Sequence, residues 1–177
     1  MTAPGDLAAL VRDIPDWPRA GVVFKDITPL LADGPAFGAA IDALAGRFAD
    51  IAVDKVLAVE ARGFIFAAPL ATRLGGGFVP VRKAGKLPWA IEAEEYELEY
   101  GTDLLEIHRD AVHGGERVLI IDDVLATGGT AAAAARLAER LGGTVVGLGF
   151  LLELGFLSGR DRLPGRRVES LVTYPKD

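Results

Sequence analysis

Cysteine is absent from the 177 residues, which excludes disulfides, thiolate metal sites and thiol nucleophiles. Histidine is scarce: His108 and His113 match no metal-binding or catalytic spacing, and both read as surface or structural residues. Basic charge is also short. The chain has 19 Lys and Arg against 25 Asp and Glu, a formal charge of −6, where a nucleic-acid binder would show a basic footprint. The densest apolar run, Val145 to Leu152, falls well short of the roughly 20 residues that a membrane helix needs. Met1 to Val11 lacks the basic start and long apolar centre of a secretory signal. These absences lead to the expectation of a soluble, cytoplasmic protein with neither nucleic acid nor membrane as partner.

What is present suits one α/β domain. Half of the residues are hydrophobic and a quarter charged, enough to bury a core without staples. A short helix is expected over Asp6 to Asp13, then an irregular but ordered segment over Asp16 to Asp26, broken by Pro15, Pro18 and Gly21. Phe37 to Phe48 has the period of an amphipathic helix. Strands follow at Val56 to Val59 and Phe78 to Val81, with a helix from Gly63 to Leu74 between them. Lys83 to Glu95 shows no clear period, and Tyr96 to Leu98 with Leu104 to Ile107 read as paired edge strands around Gly101. Val118 to Ile121 is purely aliphatic, the pattern of a central parallel strand buried on both faces. A helix over Ala131 to Leu141 and strands over Val145 to Leu152 and Val168 to Thr173 complete the series. Alternating strands and helices imply a mostly parallel central sheet with helices on both faces.

The stretch Val118-Leu119-Ile120-Ile121-Asp122-Asp123-Val124-Leu125-Ala126-Thr127-Gly128-Gly129-Thr130 carries the most chemistry. It reads as a buried strand, two acids, a small-residue turn and a helix start. Ligands of open α/β sheets sit beyond the carboxyl ends of strands, where Asp122 and Asp123 fall. The turn offers backbone N–H groups and hydroxyls at a helix N-terminus, which suit a phosphate monoester. Two carboxylates would repel that phosphate if they touched it, but they can accept hydrogen bonds from sugar hydroxyls or help hold magnesium. Helix capping would explain one threonine, not two acids, two glycines and two threonines in a row. The element is neither a P-loop, since no Gly-Lys-Ser/Thr follows, nor a dinucleotide fingerprint, since Gly147-Leu148-Gly149 lacks a third glycine and lies within a strand.

This segment resembles the phosphoribosyl-pyrophosphate motif of the type I phosphoribosyltransferases, and Leu125-Ala126-Thr127-Gly128-Gly129-Thr130 resembles their adenine-specific branch. The resemblance runs from about Val11 to Leu171 with motif order kept. It implies that Ala126, Thr127, Gly128, Gly129 and Thr130 hold a 5′-phosphate, and that Asp122 and Asp123 face the ribose hydroxyls. Glu60-Ala61-Arg62-Gly63-Phe64 matches the pyrophosphate loop, with Arg62 as its cationic contact. Arg82, Lys83 and Lys86 become further pyrophosphate ligands, Lys86 in cis or from a neighbouring subunit, on a flexible loop of about 83–100. Glu99 and Tyr100, in Leu98-Glu99-Tyr100-Gly101, approach the reaction centre, Glu99 for general acid–base work. A hood of about 12–30 holds Val23, Phe24 and Lys25 over the base, with Leu157 on its other face. Ala61 stands where relatives often have serine, and Lys25 where some have arginine.

The activity implied is transfer of the phosphoribosyl group of 5-phosphoribosyl-1-pyrophosphate to adenine, giving AMP and pyrophosphate, with Mg2+ as cofactor and a homodimer as the assembly. Two rivals stand beside it, with a generic sugar-phosphate enzyme as a weaker third. One is the same reaction with guanine, hypoxanthine, xanthine or orotate; the other is a non-catalytic ligand sensor built on this fold. The hood and the Leu-Glu-Tyr-Gly element argue against the first, and the missing basic face against the second.

Overall fold

Consecutive aliphatic residues in a strand point to opposite sides of a sheet, so a run of them needs cover on both. The computed structural model, which describes residues 4–97 and 101–175, provides that cover. In β3 (Lys55–Val59), Val56 and Ala58 face one core while Leu57 and Val59 face the other. In β7 (Arg117–Leu125), Leu119 and Ile121 join the first core, Val118 and Ile120 the second. Helices α3 (Gly34–Arg47) and α4 (Arg62–Leu74) close the first through Ile41, Leu44, Phe66 and Leu70. Helix α5 (Gly129–Arg140) closes the second with Ala133, Ala134, Leu137 and Ala138, whose small side chains let it lie close to the sheet.

The main sheet has seven strands. It adds β4 (Gly77–Lys83), β5 (Ile91–Glu97), β6 (Thr102–His108), β8 (Thr144–Leu154) and β9 (Val168–Tyr174), in the order β5-β6-β4-β3-β7-β8-β9. Strands β4, β3, β7, β8 and β9 pair in parallel, while β5 and β6 run antiparallel at one end. A single α/β domain with a mostly parallel sheet and helices on both faces is therefore borne out. Because the parallel strands share direction, the ends of β3, β4 and β7 lie side by side, and their following loops gather at one rim.

Three local expectations are corrected. The N-terminal helix α1 spans only Pro4–Ala9, and Arg12–Pro15 is a strand, β1. It pairs antiparallel with β2 (Val23–Asp26), inside the segment read as irregular; a short helix α2 (Thr28–Ala32) follows. The pairing brings together positions that share no apolar alternation, so the sequence gives no strand period there. Ile91–Glu97 forms the outermost strand, so β6 is internal rather than an edge. That acidic strand is held by α5: Arg140 bonds Glu92 at 3.1 Å, and both Arg136 and Arg140 pair with Glu94.

Candidate active site

Three loops and the β1–β2 ribbon enclose one cleft of about 470 Å³. Its lining includes Val23, Phe24 and Lys25 from the ribbon, Glu60, Ala61 and Arg62 after β3, and Lys83 at the end of β4. Asp122, Asp123, Ala126 and Thr130 come from the end of β7 and the turn beyond. Residues separated by about a hundred positions in the chain thus meet because parallel strands end together.

The turn from Ala126 to Thr130 encloses a hollow of about 70 Å³, bounded by Ala126, Thr127, Gly128 and Thr130 with Asp122 at its edge. Gly128 precedes the helix at φ 81°, a left-handed conformation that costs a residue with a Cβ about 1–2 kcal/mol. A Cβ there would also stand 2.2 Å from the carbonyl oxygen of Gly159. The hollow lies at the start of α5, where backbone N–H groups without helical partners suit an anion.

Beside it, Arg62 donates from Nε to Asp123 Oδ2 at 2.5 Å, and its guanidinium lies 5.6 Å from the centre of the Phe24 ring. Asp123 is buried. Asp122 opens partly to the cleft, yet the protein packed around its carboxyl pushes its pKa well above the usual carboxylate range, and the charge of Asp123 adds to the effect. Asp122 Oδ1 accepts from the Asp123 N–H at 2.9 Å. Opposite, Arg82 donates to Glu60 Oε2 at 2.6 Å, and the Lys83 backbone N–H reaches the same oxygen at 3.2 Å. Glu60 therefore aligns the β4 end instead of opposing it. The Glu60–Ala61 peptide is cis.

A second hollow, about 890 Å³ and open to solvent, adjoins the first on the ribbon side. Val23 and Lys25 form one wall, Leu154, Phe156 and Leu157 the other, and Ala126 and Thr127 lie at the end next to the turn. Val23, Phe156 and Leu157 are exposed there despite their apolar side chains. A flat apolar ring fits such a slot.

Most of the expected site residues converge. Arg82 and Lys86 line neither hollow; the Lys86 carbonyl accepts from Arg82 at 3.4 Å, and Lys86 is exposed. Glu99 and Tyr100 lie outside the described residues. Phe24 meets Trp17 edge-on at 4.4 Å, so part of its ring is already engaged. Sequence reasoning missed Tyr96, Asp103 and Phe156. The Tyr96 hydroxyl and Asp103 carboxylate both meet the Lys83 ammonium, whose pKa rises through the bond to Asp103. The β5–β6 register sets Tyr96 directly opposite Asp103, a pairing with no sequence signal until the turn is known.

The chain was compared with known proteins. A family model, the phosphoribosyl transferase domain, matches residues 30–165. An adenine phosphoribosyltransferase of Solibacter usitatus is 58% identical over 171 residues, covering 97% of this chain and 99% of its own. The chain belongs to the adenine phosphoribosyltransferase family. The assignment brings the family's reaction with it: transfer of the phosphoribosyl group of phosphoribosyl pyrophosphate to adenine, a glycosyl transfer of purine salvage. A crystal structure of the adenine phosphoribosyltransferase from Thermoanaerobacter pseudethanolicus superposes at a TM-score of 0.95, with 54% identity over 97% of this chain and all of that one. The Saccharomyces cerevisiae enzyme, crystallised with an iminoaltritol bisphosphate and adenine, gives 0.90 at 41% identity, covering 95% of this chain and 97% of its own.

Among the described residues no group of three or more acids and histidines stands close enough to hold a metal. The aspartate pair supplies hard oxygen donors, which suits a magnesium ion carried mainly by phosphate oxygens.

Proposed function

We propose that the cleft divides its substrates as follows. The 5′-phosphate sits in the Ala126–Thr130 hollow, the ribose hydroxyls on Asp122 and Asp123, and the pyrophosphate along Glu60–Arg62, Arg82 and Lys83, with Lys86 reaching it from the loop. Adenine lies between the Val23–Lys25 ribbon and Leu157. The juxtaposition of a hollow at a helix start, a cationic rim and an apolar slot in one cleft carries this reading. Asp123 and the substrate would hold Mg2+, which when bound neutralises charge on the leaving pyrophosphate.

The residues act by position and charge. The ribose–pyrophosphate bond breaks early, charge develops on the sugar ring, and adenine N9 attacks from the opposite face. Arg62 and Arg82 face the departing oxygens, while the aspartates hold the ring so that the two faces stay distinct. Glu99, in the segment joining β5 to β6, takes the N9 proton, and Tyr100 aligns the reacting groups. Of the loop expected over about 83–100, Lys83 ends β4 and Ile91–Glu97 is the strand β5, so closure against water falls to the connection 84–90.

Pyrophosphate release measured with adenine, guanine, hypoxanthine, xanthine and orotate, each giving its own nucleotide, tests the assignment of the base slot. Adenine should give the highest kcat/KM, and a faster reaction with guanine would overturn it. Glu99→Ala should lower kcat by about 10²-fold, the usual scale of general acid–base assistance, with AMP affinity little changed. A homodimer belongs to the same proposal. Ile65 and Phe78 are exposed, Phe64 and Phe78 pack edge-to-face at 5.4 Å, and a partner would cover this apolar ground. Sedimentation at micromolar concentration checks it. A cytoplasmic location completes the reading, since a phosphorylated sugar this highly charged does not cross a bilayer unaided.

A further inference from the structure

The β1–β2 ribbon belongs to no larger sheet: its two strands pair only with each other. Something other than strand pairing must fix its distance from the rest of the base slot. Lys25 is well placed to do so. Its side chain is 12% exposed, unusual for an ammonium group, which is strongly hydrated and rarely buried without partners. Nζ donates to Asp13 Oδ1 at 2.7 Å, the residue directly opposite in the ribbon register. The same ammonium lies 3.9 Å from the centre of the Tyr174 ring, within range of a cation–π attraction.

Tyr174 is the last residue of β9 and pairs with Leu154 on β8. Leu154 lines the slot, and the turn that follows it carries Phe156 and Leu157 into the same wall. The Lys25–Tyr174 contact therefore joins the ribbon wall of the slot to the wall that carries Leu154. One wall ends in Lys25, whose side chain reaches Asp13 and the Tyr174 ring. The other is anchored beside Tyr174.

We propose that Lys25, Asp13 and Tyr174 form a latch that sets the width of the base slot, with Lys25 and Tyr174 as positioning residues for adenine. The idea rests on the reading that adenine occupies this slot. The latch aligns the Val23–Lys25 main chain against the purine edge, leaving the phosphoribosyl end of the cleft untouched. An aromatic face is what the contact requires of Tyr174; its hydroxyl is dispensable. A cation is what it requires of residue 25, since only a positive charge satisfies both the carboxylate and the ring.

Steady-state kinetics on Lys25→Met, Lys25→Arg, Tyr174→Leu and Tyr174→Phe test this. Lys25→Met and Tyr174→Leu should each raise the KM for adenine roughly tenfold, with kcat and the KM for phosphoribosyl pyrophosphate within about twofold of the parent. Lys25→Arg should recover most of the loss, and Tyr174→Phe should match the parent. An unchanged adenine KM in Lys25→Met overturns the latch, as does an equal rise in both KM values. Loss of ribose 5-phosphate binding in Lys25→Met also overturns it, because Lys25 would then serve the fold as a whole. Leu157→Ala separates the two levels of the argument. If it raises the adenine KM while Lys25→Met does not, the slot stands and the latch falls; if it leaves that KM unchanged, the reading of the slot fails and the latch with it.

Discussion

The phosphate turn and the hood ribbon border the same cleft, but different forces hold them. The turn is wedged by backbone: Gly128 lies against Gly159 with no room for a methyl group, and α5 grows directly from it into the alanine-lined core. The ribbon is tethered by side chains: Lys25 against Tyr174 and Arg62 over Phe24. Packed backbone resists displacement because relief in one place creates overlap in another. Side-chain tethers can stretch or re-form. On the proposed division of the cleft, the invariant part of the substrate, a phosphoryl group, would meet the stiffer element, and the part that defines specificity the more adjustable one.

The comparison breaks most severely at Gly128. Gly128→Ala combines the left-handed conformation with a Cβ 2.2 Å from a carbonyl oxygen that cannot move without shifting the Gly159 segment. We expect at least about 3 kcal/mol of lost stability, the range of overpacking plus backbone strain. Urea unfolding would show it, together with a collapse of phosphoribosyl pyrophosphate affinity. A variant that retained parental stability would mean that the turn is no stiffer than the ribbon.

Arg62 is where the two regions touch, since it bonds Asp123 on the turn side and stacks over Phe24 on the ribbon side. Arg62→Met should lower kcat/KM by about 30-fold, corresponding to roughly 2 kcal/mol for a charge-assisted hydrogen bond. It should raise the KM for both substrates, because both regions lose a neighbour. A rise confined to one substrate would show the regions to be independent.

Legibility followed the same division. The turn could be read because its constraints are local: aliphatic strand, acids at the strand end, glycines, helix start, all within thirteen consecutive residues. The ribbon could not, because Arg12–Pro15 carries two charged residues, one isoleucine and one proline, and becomes a strand only through pairing with Val23–Asp26. The acidic strand Ile91–Glu97 escaped notice for a related reason. Three glutamates among its first five residues argue against a strand until Arg136 and Arg140, more than forty positions away, neutralise two of them. Lys25 was read for its main chain, and the partner that gives its side chain a role, Tyr174, stands at the other end of the chain.

Asp122 offers a pH test on the turn side. Its folded-state pKa is raised, first by burial and then by Asp123, so the native protein holds this proton at pH values where the unfolded chain has released it. Stability contributed at that site is present in acid and declines as pH rises through the ordinary carboxylate range toward the raised native value. Asp122→Asn keeps an oxygen to accept the Asp123 N–H and removes the titration. Urea midpoints for parent and variant should therefore diverge in the variant's favour between pH 4 and pH 8. Parallel profiles would mean that Asp122 ionises as freely as a surface carboxylate.

Gly21 gives the smallest effect and the cleanest contrast with Gly128. Its φ of 82° is nearly the same, but a Cβ there would meet nothing within 4 Å. Gly21→Ala isolates the conformational cost of the left-handed region without any overlap, and about 1 kcal/mol is expected. Because the ribbon is tethered and not wedged, that cost should fall on the slot: the adenine KM rises modestly while phosphoribosyl pyrophosphate binding holds. If Gly21→Ala were as damaging as Gly128→Ala, backbone conformation alone would explain both sites, and the contact between Gly128 and Gly159 would lose its special standing.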